Sequence, residues 1–369
     1  MKPVRIMVVD GSVVIRKLLA DTLAQDQALE VVGTASDGRI ALAKLLQLKP
    51  DVVTLDIEMP VMNGLETLAE IRKSHPKLPV IMFSTLTEHG AAATLDALSL
   101  GASDYATKPS NTGSAAIAVE RIRTELIPKI KALCGLGATR IPRASQSTSP
   151  IKARPRSASR VDIVAIGSST GGPNALAEVL PRLPADFPVP IVIVQHMPPI
   201  FTRLLAERLA SRSAIPVEEG TAGAAIPPGH AWIAPGNFHM KVVRSGKTLS
   251  LGLNQGPPEN SCRPSVDVLF RSVATACGGN VLAVVMTGMG ADGVVGAQEI
   301  RQAGGNVIIQ DEKSSVVWGM PGLIHASGLD DASYPLDQLA AEITRRVLRG
   351  RSLGRTENKI NSPVELPAQ

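Results

Sequence analysis

Aromatic side chains are scarce in this chain: two Trp, two Tyr and five Phe among 369 residues. A surface that stacks successive bases needs several such rings, so no nucleic-acid partner is expected on that ground. Cysteine is scarcer still, and Cys134, Cys262 and Cys277 are odd in number and widely spaced. Neither a disulfide framework nor a C-x-x-C metal motif can be drawn from them, which points to a reducing, cytoplasmic setting. No run of about 18 uncharged apolar residues occurs, so no membrane insertion is expected. The apolar stretch of MKPVRIMVVDG is too short before Asp10 for a secretory leader.

Basic charge is concentrated in one segment. Residues 135–160 contain six of the 38 Lys and Arg and no Asp or Glu, which leaves 32 basic against 33 acidic residues elsewhere. The net charge of +5 therefore belongs to one segment, not to the folded parts. Apolar residues make up 44% of the chain, enough to bury two cores and to exclude a disordered protein.

Two blocks alternate strand-like and helix-like runs. In residues 1–133 the strand candidates are Val4–Val9, Val31–Ala35, Val52–Leu55, Pro79–Phe83 and Asp104–Ala106, with helical spacing between them and over Ala115–Leu133. Such alternation predicts a five-stranded parallel sheet of flavodoxin-like, doubly wound α/β type. Residues 134–160 are rich in Ser, Pro, Arg, Gly and Ala and read as a flexible basic linker. In residues 161–350 the strand candidates are Val161–Ile166, Pro190–Val194, Ala231–Ala234, Lys241–Arg244, Thr248–Leu251, Val281–Met286 and Asn306–Gln310. This predicts a second doubly wound α/β domain with a hairpin insertion near 231–251. Residues 351–369 read as a polar, frayed tail.

Polar groups gather where strands of the first block end. Asp10 follows the first, Asp56 the third, Ser84 the fourth and Lys108 the fifth. Parallel strands bring such positions to one sheet edge. A carboxylate there can accept a phosphoryl group if Mg²⁺ offsets the charge, while an ammonium and a hydroxyl hold the phosphoryl oxygens. VVDGSVVIRK, DVVTLDIEMPVMNG, PVIMFST and GASDYATKP resemble the strand-end motifs of response-regulator receiver domains. The resemblance implies Asp56 as phosphoacceptor, Ser84 as switch hydroxyl, Tyr105 as switch aromatic and Lys108 as the phosphate-contacting cation. It implies Mg²⁺ on Asp10, Asp56 and the backbone carbonyl of Glu58. Receivers usually carry two acidic residues after the first strand, whereas Gly11 stands at the second position here, so weaker Mg²⁺ binding is expected.

The second block contains a nucleophile pattern. Val161–Ile166 runs into Gly167-Ser168-Ser169-Thr170-Gly171-Gly172, and Pro173 suits a first helical position. Strand, glycine-rich turn and helix match the context of a G-x-S-x-G elbow, which exposes Ser169 beside backbone N–H groups able to stabilise an oxyanion. A dinucleotide-type phosphate loop would need glycine at position 169 and an acidic residue after the next strand, where Gln195 and His196 stand instead. His196 follows a strongly apolar strand, and Asp292 closes the stretch VLAVVMTGMGADG. Together they supply a base and an orienting acid. The chain order Ser, His, Asp differs from that of chymotrypsin, subtilisin and the α/β-hydrolases.

IGSSTGGPNAL, IVQHMPPIFTRLLAERL, SCRPSVDVLF, VVMTGMGADG and QDEKSSVVWGMP resemble the catalytic domain of chemotaxis protein-glutamate methylesterases, and the order receiver, linker, catalytic domain is also that family's. The resemblance implies Ser169 as nucleophile, His196 as base and Asp292 as its orienting acid, with Thr170 and Met289 at active-site positions. It implies hydrolysis of glutamyl methyl esters and deamidation of glutamines on a chemoreceptor, phosphorylation by a chemotaxis histidine kinase, and no cofactor for the esterase step. It also implies that the unphosphorylated receiver restrains catalysis. A rival reading of the same residues is a phosphorylation-switched binding module that holds a phosphorylated ligand at the 167–172 loop.

Overall fold

β-Branched residues occupy most positions of β1 (Val4–Val9), and all but Arg5 are buried. Apolar density of this kind on both faces is what a sheet covered on both sides requires. The computed structural model describes residues 2–108, 115–136 and 160–360. The chain divides into two compact units, one built on a five-stranded sheet and the other on a seven-stranded sheet.

In the first unit β1 is joined by β2 (Leu29–Ala35), β3 (Val52–Asp56), β4 (Val80–Ser84) and β5 (Asp104–Thr107). All pair in parallel, in the order β2-β1-β3-β4-β5. The direction of winding reverses between β1 and β3, so the crevice at this switch point opens where Asp10 and Asp56 stand. Local sequence sets the helix starts. Ser12 caps Val13–Leu23 by accepting from Ile15 N, and Asn63 with Glu66 closes a capping box on Gly64–Ser74. Gly64 is required by space: a Cβ there would lie 2.2 Å from the Asp56 carbonyl oxygen. The stretch expected as one helix over 115–133 is helical throughout, with a π-helical turn at Ile122–Leu126. Pro128, which lacks an N–H, comes just after that turn and accounts for the altered bonding. Of the segment read as a linker, residues 137–159 lie outside the described residues.

The second sheet is formed by β6 (Ile163–Ser168), β7 (Ile191–Gln195), β8 (Val217–Glu219), β9 (Ala231–Ile233), β12 (Val281–Val285), β13 (Asn306–Gln310) and β14 (Ala332–Tyr334), while β10 (His239–Ser245) and β11 (Thr248–Asn254) pair only with each other. The main sheet is parallel in the order β14-β13-β12-β6-β7-β9-β8. Its switch point falls between β6 and β12. One face is packed by helix Val266–Cys277 and by the hairpin, with Phe270, Leu269, Val273, Met240 and Leu251 among the buried residues.

Three expectations are corrected by the structure. Residues 231–234 do not belong to the hairpin insertion: β9 is a main-sheet strand beside β7, and the hairpin proper spans 239–254. β8 and β14 are absent from the strand candidates, because three-residue edge strands carry too short an alternation to register. The terminal helix Leu336–Ile360 continues ten residues into the expected tail. RSLGRTENKI contains no proline, and one internal glycine costs a helix only about 1 kcal/mol. The remaining residues of that tail, 361–369, lie outside the described residues.

Candidate functional site

Two polar centres lie at carboxyl edges of the two sheets. In the first, Lys108 Nζ sits 2.7 Å from Asp56 Oδ1 and 3.0 Å from Asp10 Oδ2. Asp56 is buried, and its oxygens accept from the backbone N–H groups of Glu58 (3.2 Å) and Gly11 (3.4 Å). Asp10 Oδ1 accepts from Ser12 N at 2.8 Å. Burial, and then the nearby Asp56 charge, raise the Asp10 pKa above the usual carboxylate range; Lys108 and Ser12 N oppose them. Two buried carboxylates side by side, answered by one ammonium, form a site with spare negative charge.

The donors suit a hard cation. Asp10 Oδ2 is buried without a hydrogen bond, in ion-pair contact with Lys108. The carbonyl oxygen of Glu58 lies 3.3 Å from where a Cβ on Gly11 would stand, which puts it against the same residues. Carboxylates and a carbonyl are the oxygen ligands Mg²⁺ prefers.

Ser84 ends β4, beside β3 as expected, but its hydroxyl donates to the Gly90 carbonyl at 3.0 Å. Tyr105 is buried, its backbone carbonyl accepting from Lys129 Nζ at 2.6 Å, and that ammonium lies 4.7 Å from its ring centre. Burial raises the Tyr105 phenol well above its ordinary pKa, with help from the Asp104 and Glu125 charges.

The second centre is built on β6, β7 and β12, three adjacent parallel strands. Ser169 comes directly after β6 in a turn whose backbone is pinned at both ends. Ser169 N donates to Thr287 O at 3.1 Å, and Gly172 N donates to Ser169 O at 2.8 Å. Gly171 adopts φ +78°, a left-handed conformation that a Cβ would strain. Thr170 presents its carbonyl to the Thr287 hydroxyl at 2.9 Å, and Met289 lies in the loop after β12. His196 comes directly after β7, and its backbone N–H donates to Ser168 O at 3.1 Å.

His196 and Asp292 meet across 96 residues of sequence, Nε2 to Oδ2, at 2.8 Å. Asp292 is 1% exposed and is bonded on every side. Oδ2 also accepts from Val266 N (2.7 Å); Oδ1 accepts from Ser265 Oγ (2.8 Å), Asp267 N (3.0 Å) and Asn260 Nδ2 (3.1 Å). The N–H donors of Val266 and Asp267 open helix Val266–Cys277, whose positive dipole end faces the carboxylate. Burial works against ionisation, but the His196 hydrogen bond and charge and these backbone donors overcome it, lowering the Asp292 pKa to about 2.

The other ring nitrogen of His196, Nδ1, lies 3.5 Å from Cys262 Sγ. Burial tends to neutralise the imidazole, but the hydrogen bonds to Asp292 and Cys262, with their charges, prevail and raise its pKa to about 10. Cys262 and the Asn260–Ser265–Asp267 frame around Asp292 do not emerge from the sequence reading. One signal was available: Ser265 followed by Asp267 in a first helical turn marks an N-terminus able to hold an anion.

Residues 164–343 match the family model described as CheB methylesterase, and residues 6–120 match that of the response regulator receiver domain. The chain is 52% identical to a protein-glutamate methylesterase/protein-glutamine glutaminase of Trichodesmium erythraeum, over 93% of this chain and 99% of that one. It is 50% identical to a protein of the same name from Nocardioides, over 95% and 97% of the two chains. The crystal structure of the Thermotoga maritima CheB methylesterase catalytic domain is 40% identical, covers 50% of this chain and 98% of its own, and superposes with a TM-score of 0.50.

Proposed function

The chain belongs to the CheB methylesterase family, in which a receiver precedes the catalytic domain, and from that premise we propose a phosphorylation-controlled protein-glutamate methylesterase that also deamidates glutamines. The observation that carries the reading is the His196–Asp292 pair, held by a helix N-terminus at the same sheet edge as the Ser169 turn. Ser169 is the nucleophile. With Nε2 committed to Asp292, Nδ1, which contacts Cys262 Sγ, is the imidazole nitrogen that takes the Ser169 proton. The hydroxyl oxygen attacks the glutamyl ester carbonyl, and N–H groups of the turn stabilise the oxyanion. Imidazolium then gives its proton to the leaving methanol. Water, activated by the same base, opens the acyl-enzyme and frees the glutamate. With glutamine the leaving group is ammonia, and the steps are otherwise the same.

The substrate class we assign is the methylated cytoplasmic region of a chemoreceptor, and the phosphodonor a chemotaxis histidine kinase. Asp56 is the phosphoacceptor, with Lys108 contacting the phosphoryl group and Ser84 and Tyr105 as switch residues. Mg²⁺ would be held by Asp10, Asp56 and the Glu58 carbonyl, and when bound it offsets the charge of the transferred phosphoryl group. The binding-module reading is not favoured, because the chain's near-full-length relatives carry enzyme names. Methanol release from methylated receptor membranes, measured with and without a small-molecule phosphodonor, tests the proposal. No release under either condition defeats the esterase, and release indifferent to the donor defeats the control.

Gly11→Asp should strengthen the receiver's cation site. Gly11 has an ordinary φ, and a Cβ would come no closer than 3.3 Å to Glu58 O, a tightness of a few tenths of an ångström. One more carboxylate near two others raises Mg²⁺ affinity by roughly tenfold, equivalent to about 1.4 kcal/mol. Phosphotransfer to Asp56 should quicken with it. A magnesium titration followed by the fluorescence of a tryptophan placed near the site checks the first effect and labelling by a phosphodonor the second. Unchanged values in both would make Gly11 a neutral replacement.

The base must be neutral to act, and His196 titrates above its ordinary range. The kcat/KM of the esterase should therefore climb with pH through an apparent pKa well above 6.5, which reports the free enzyme. Cys262→Ala removes one of the two hydrogen-bonding partners that raise it, so this limb should move to lower pH. A limb that stays at the same pH in the variant would separate Cys262 from the base.

A further inference from the structure

We propose that Cys262 and His196 form a binding site for a thiophilic divalent cation, zinc being the best fit, inside the esterase centre. Three donor atoms of different hardness, one each from His196, Cys262 and Asp292, lie within 4.8 Å of one another. Their pairing decides which of them can be ligands. A tetrahedral zinc with one imidazole nitrogen at about 2.0–2.1 Å and one thiolate sulfur at about 2.3 Å sets those two ligands about 3.5 Å apart. The Nδ1–Sγ separation is 3.5 Å. The spacing of two zinc ligands is therefore already present.

Asp292 has a different part in this site. Both its oxygens are occupied by donors, and Nε2 of His196 is one of them. A histidine that ligates zinc through one nitrogen commonly donates its other N–H to a carboxylate, which fixes the ring and makes the free nitrogen more basic. His196 and Asp292 already have that arrangement. Two protein ligands leave two positions of the tetrahedron for water. Binding is thus expected to be reversible, and not a structural zinc of the four-ligand kind. Cys262 binds as thiolate and Nδ1 through its lone pair, so any proton on either atom leaves for solvent as the metal enters.

The receiver centre and this site differ in their donors. The receiver centre offers only oxygens and suits Mg²⁺, whereas Nδ1 with Sγ suits zinc, cobalt or copper and gives Mg²⁺ nothing it prefers. Zinc on Nδ1 occupies the lone pair that takes the Ser169 proton. This consequence rests on the esterase reading given above: the esterase is then switched off while phosphorylation of the receiver continues.

The test uses the untagged full-length protein in buffer with Mg²⁺. Cobalt(II) is the probe, because a thiolate ligand gives it a near-ultraviolet charge-transfer band that carboxylates do not. We expect one cobalt per chain with that band, displaced by zinc. Zinc affinity, read by competition with a chromogenic chelator, should fall by roughly tenfold or more in Cys262→Ala, while Cys134→Ser keeps the band. Methanol release should fall as zinc rises and return with a chelator, and Cys262→Ala should need roughly tenfold more zinc for the same inhibition. A wild-type protein with no band overturns the proposal whatever the variants do, and so does a band unchanged in a folded Cys262→Ala. A band together with undiminished methanol release upholds the metal site and instead overturns His196 as the base.

Discussion

Ser169→Ala should abolish methanol release from methylated receptors and leave the fold as it is. On the proposed mechanism Ser169 is the nucleophile, and its loss costs on the order of 10⁴–10⁶ in kcat, since the base and the oxyanion donors then have no attacking oxygen to assist. The fold should survive because the turn is held through backbone atoms. Ser169 N to Thr287 O and Gly172 N to Ser169 O are bonds that alanine makes equally well. Loss of a hydroxyl at a half-buried position costs about 1 kcal/mol at most. The variant should therefore unfold within a few degrees of wild type, phosphorylate normally on Asp56, and no longer take a covalent label from a fluorophosphonate. Methanol release within tenfold of wild type would remove Ser169 from the mechanism.

Asp292→Ala should do more than slow the reaction, because the carboxylate that the proposed mechanism uses to orient the base also holds a helix start. It bonds His196 Nε2, and on the proposed mechanism removing the acid of a Ser-His-Asp set lowers kcat by about 10⁴. It also binds the start of helix Val266–Cys277 through Ser265, Val266 and Asp267, and fixes Asn260. Removing one partner of a buried ion pair costs about 3–5 kcal/mol. For a catalytic domain of this size that lowers the thermal midpoint by roughly 6–20 °C. Asp292→Asn keeps the volume but turns an NH₂ toward atoms that are all donors, so it should be destabilised too. Activity and calorimetry on both variants check this. A variant with a wild-type midpoint would show the helix start to be independent of Asp292.

The same pair predicts how stability varies with pH. Asp292 titrates at about 2 in the folded chain, below its unfolded value of about 3.9. The stability it adds is therefore complete above the unfolded value and is lost as pH falls through about 2. His196 is shifted the other way, to about 10, so its part is complete below about 6.5 and is lost as pH rises through about 10. These are largely one interaction seen from its two ends, with Cys262 adding only to the histidine's side. The contribution should be flat from about pH 4 to 6.5 and decline above that, as the histidine's part is lost.

Much of this protein could be read in one dimension. Runs such as VRIMVV and VLAVV are strands because β-branched and apolar residues crowd them, and strands alternating with helical spacing leave few arrangements other than parallel sheets. Parallel strands all end at the same edge. Asp10, Asp56 and Lys108, and likewise Ser169, His196 and Asp292, could therefore be gathered from the residues at or just beyond each strand's carboxyl end. That rule uses only local pattern and chain direction.

Local pattern does not supply which strand lies beside which, or which side chains meet from loops that no main-sheet strand carries. The order β14-β13-β12-β6-β7-β9-β8, which makes β6 and β12 neighbours, depends on crossovers that leave no local trace. The pairing of β9 with β7 rather than with the hairpin is the same kind of fact. Cys262 comes beside Nδ1 of His196 from 66 residues away, and Asn260 and Ser265 close around Asp292 from 32 and 27 residues away. An isolated Cys, Asn or Ser has no periodicity to announce it, and its partner is set by packing over the whole domain. The sequence alone pointed to two α/β folds and to the residues proposed for the chemistry. The tertiary structure alone decided the acid's ionisation, which histidine nitrogen faces the acid and the thiol beside the other, because burial and hydrogen-bond distance exist only once distant segments are packed together.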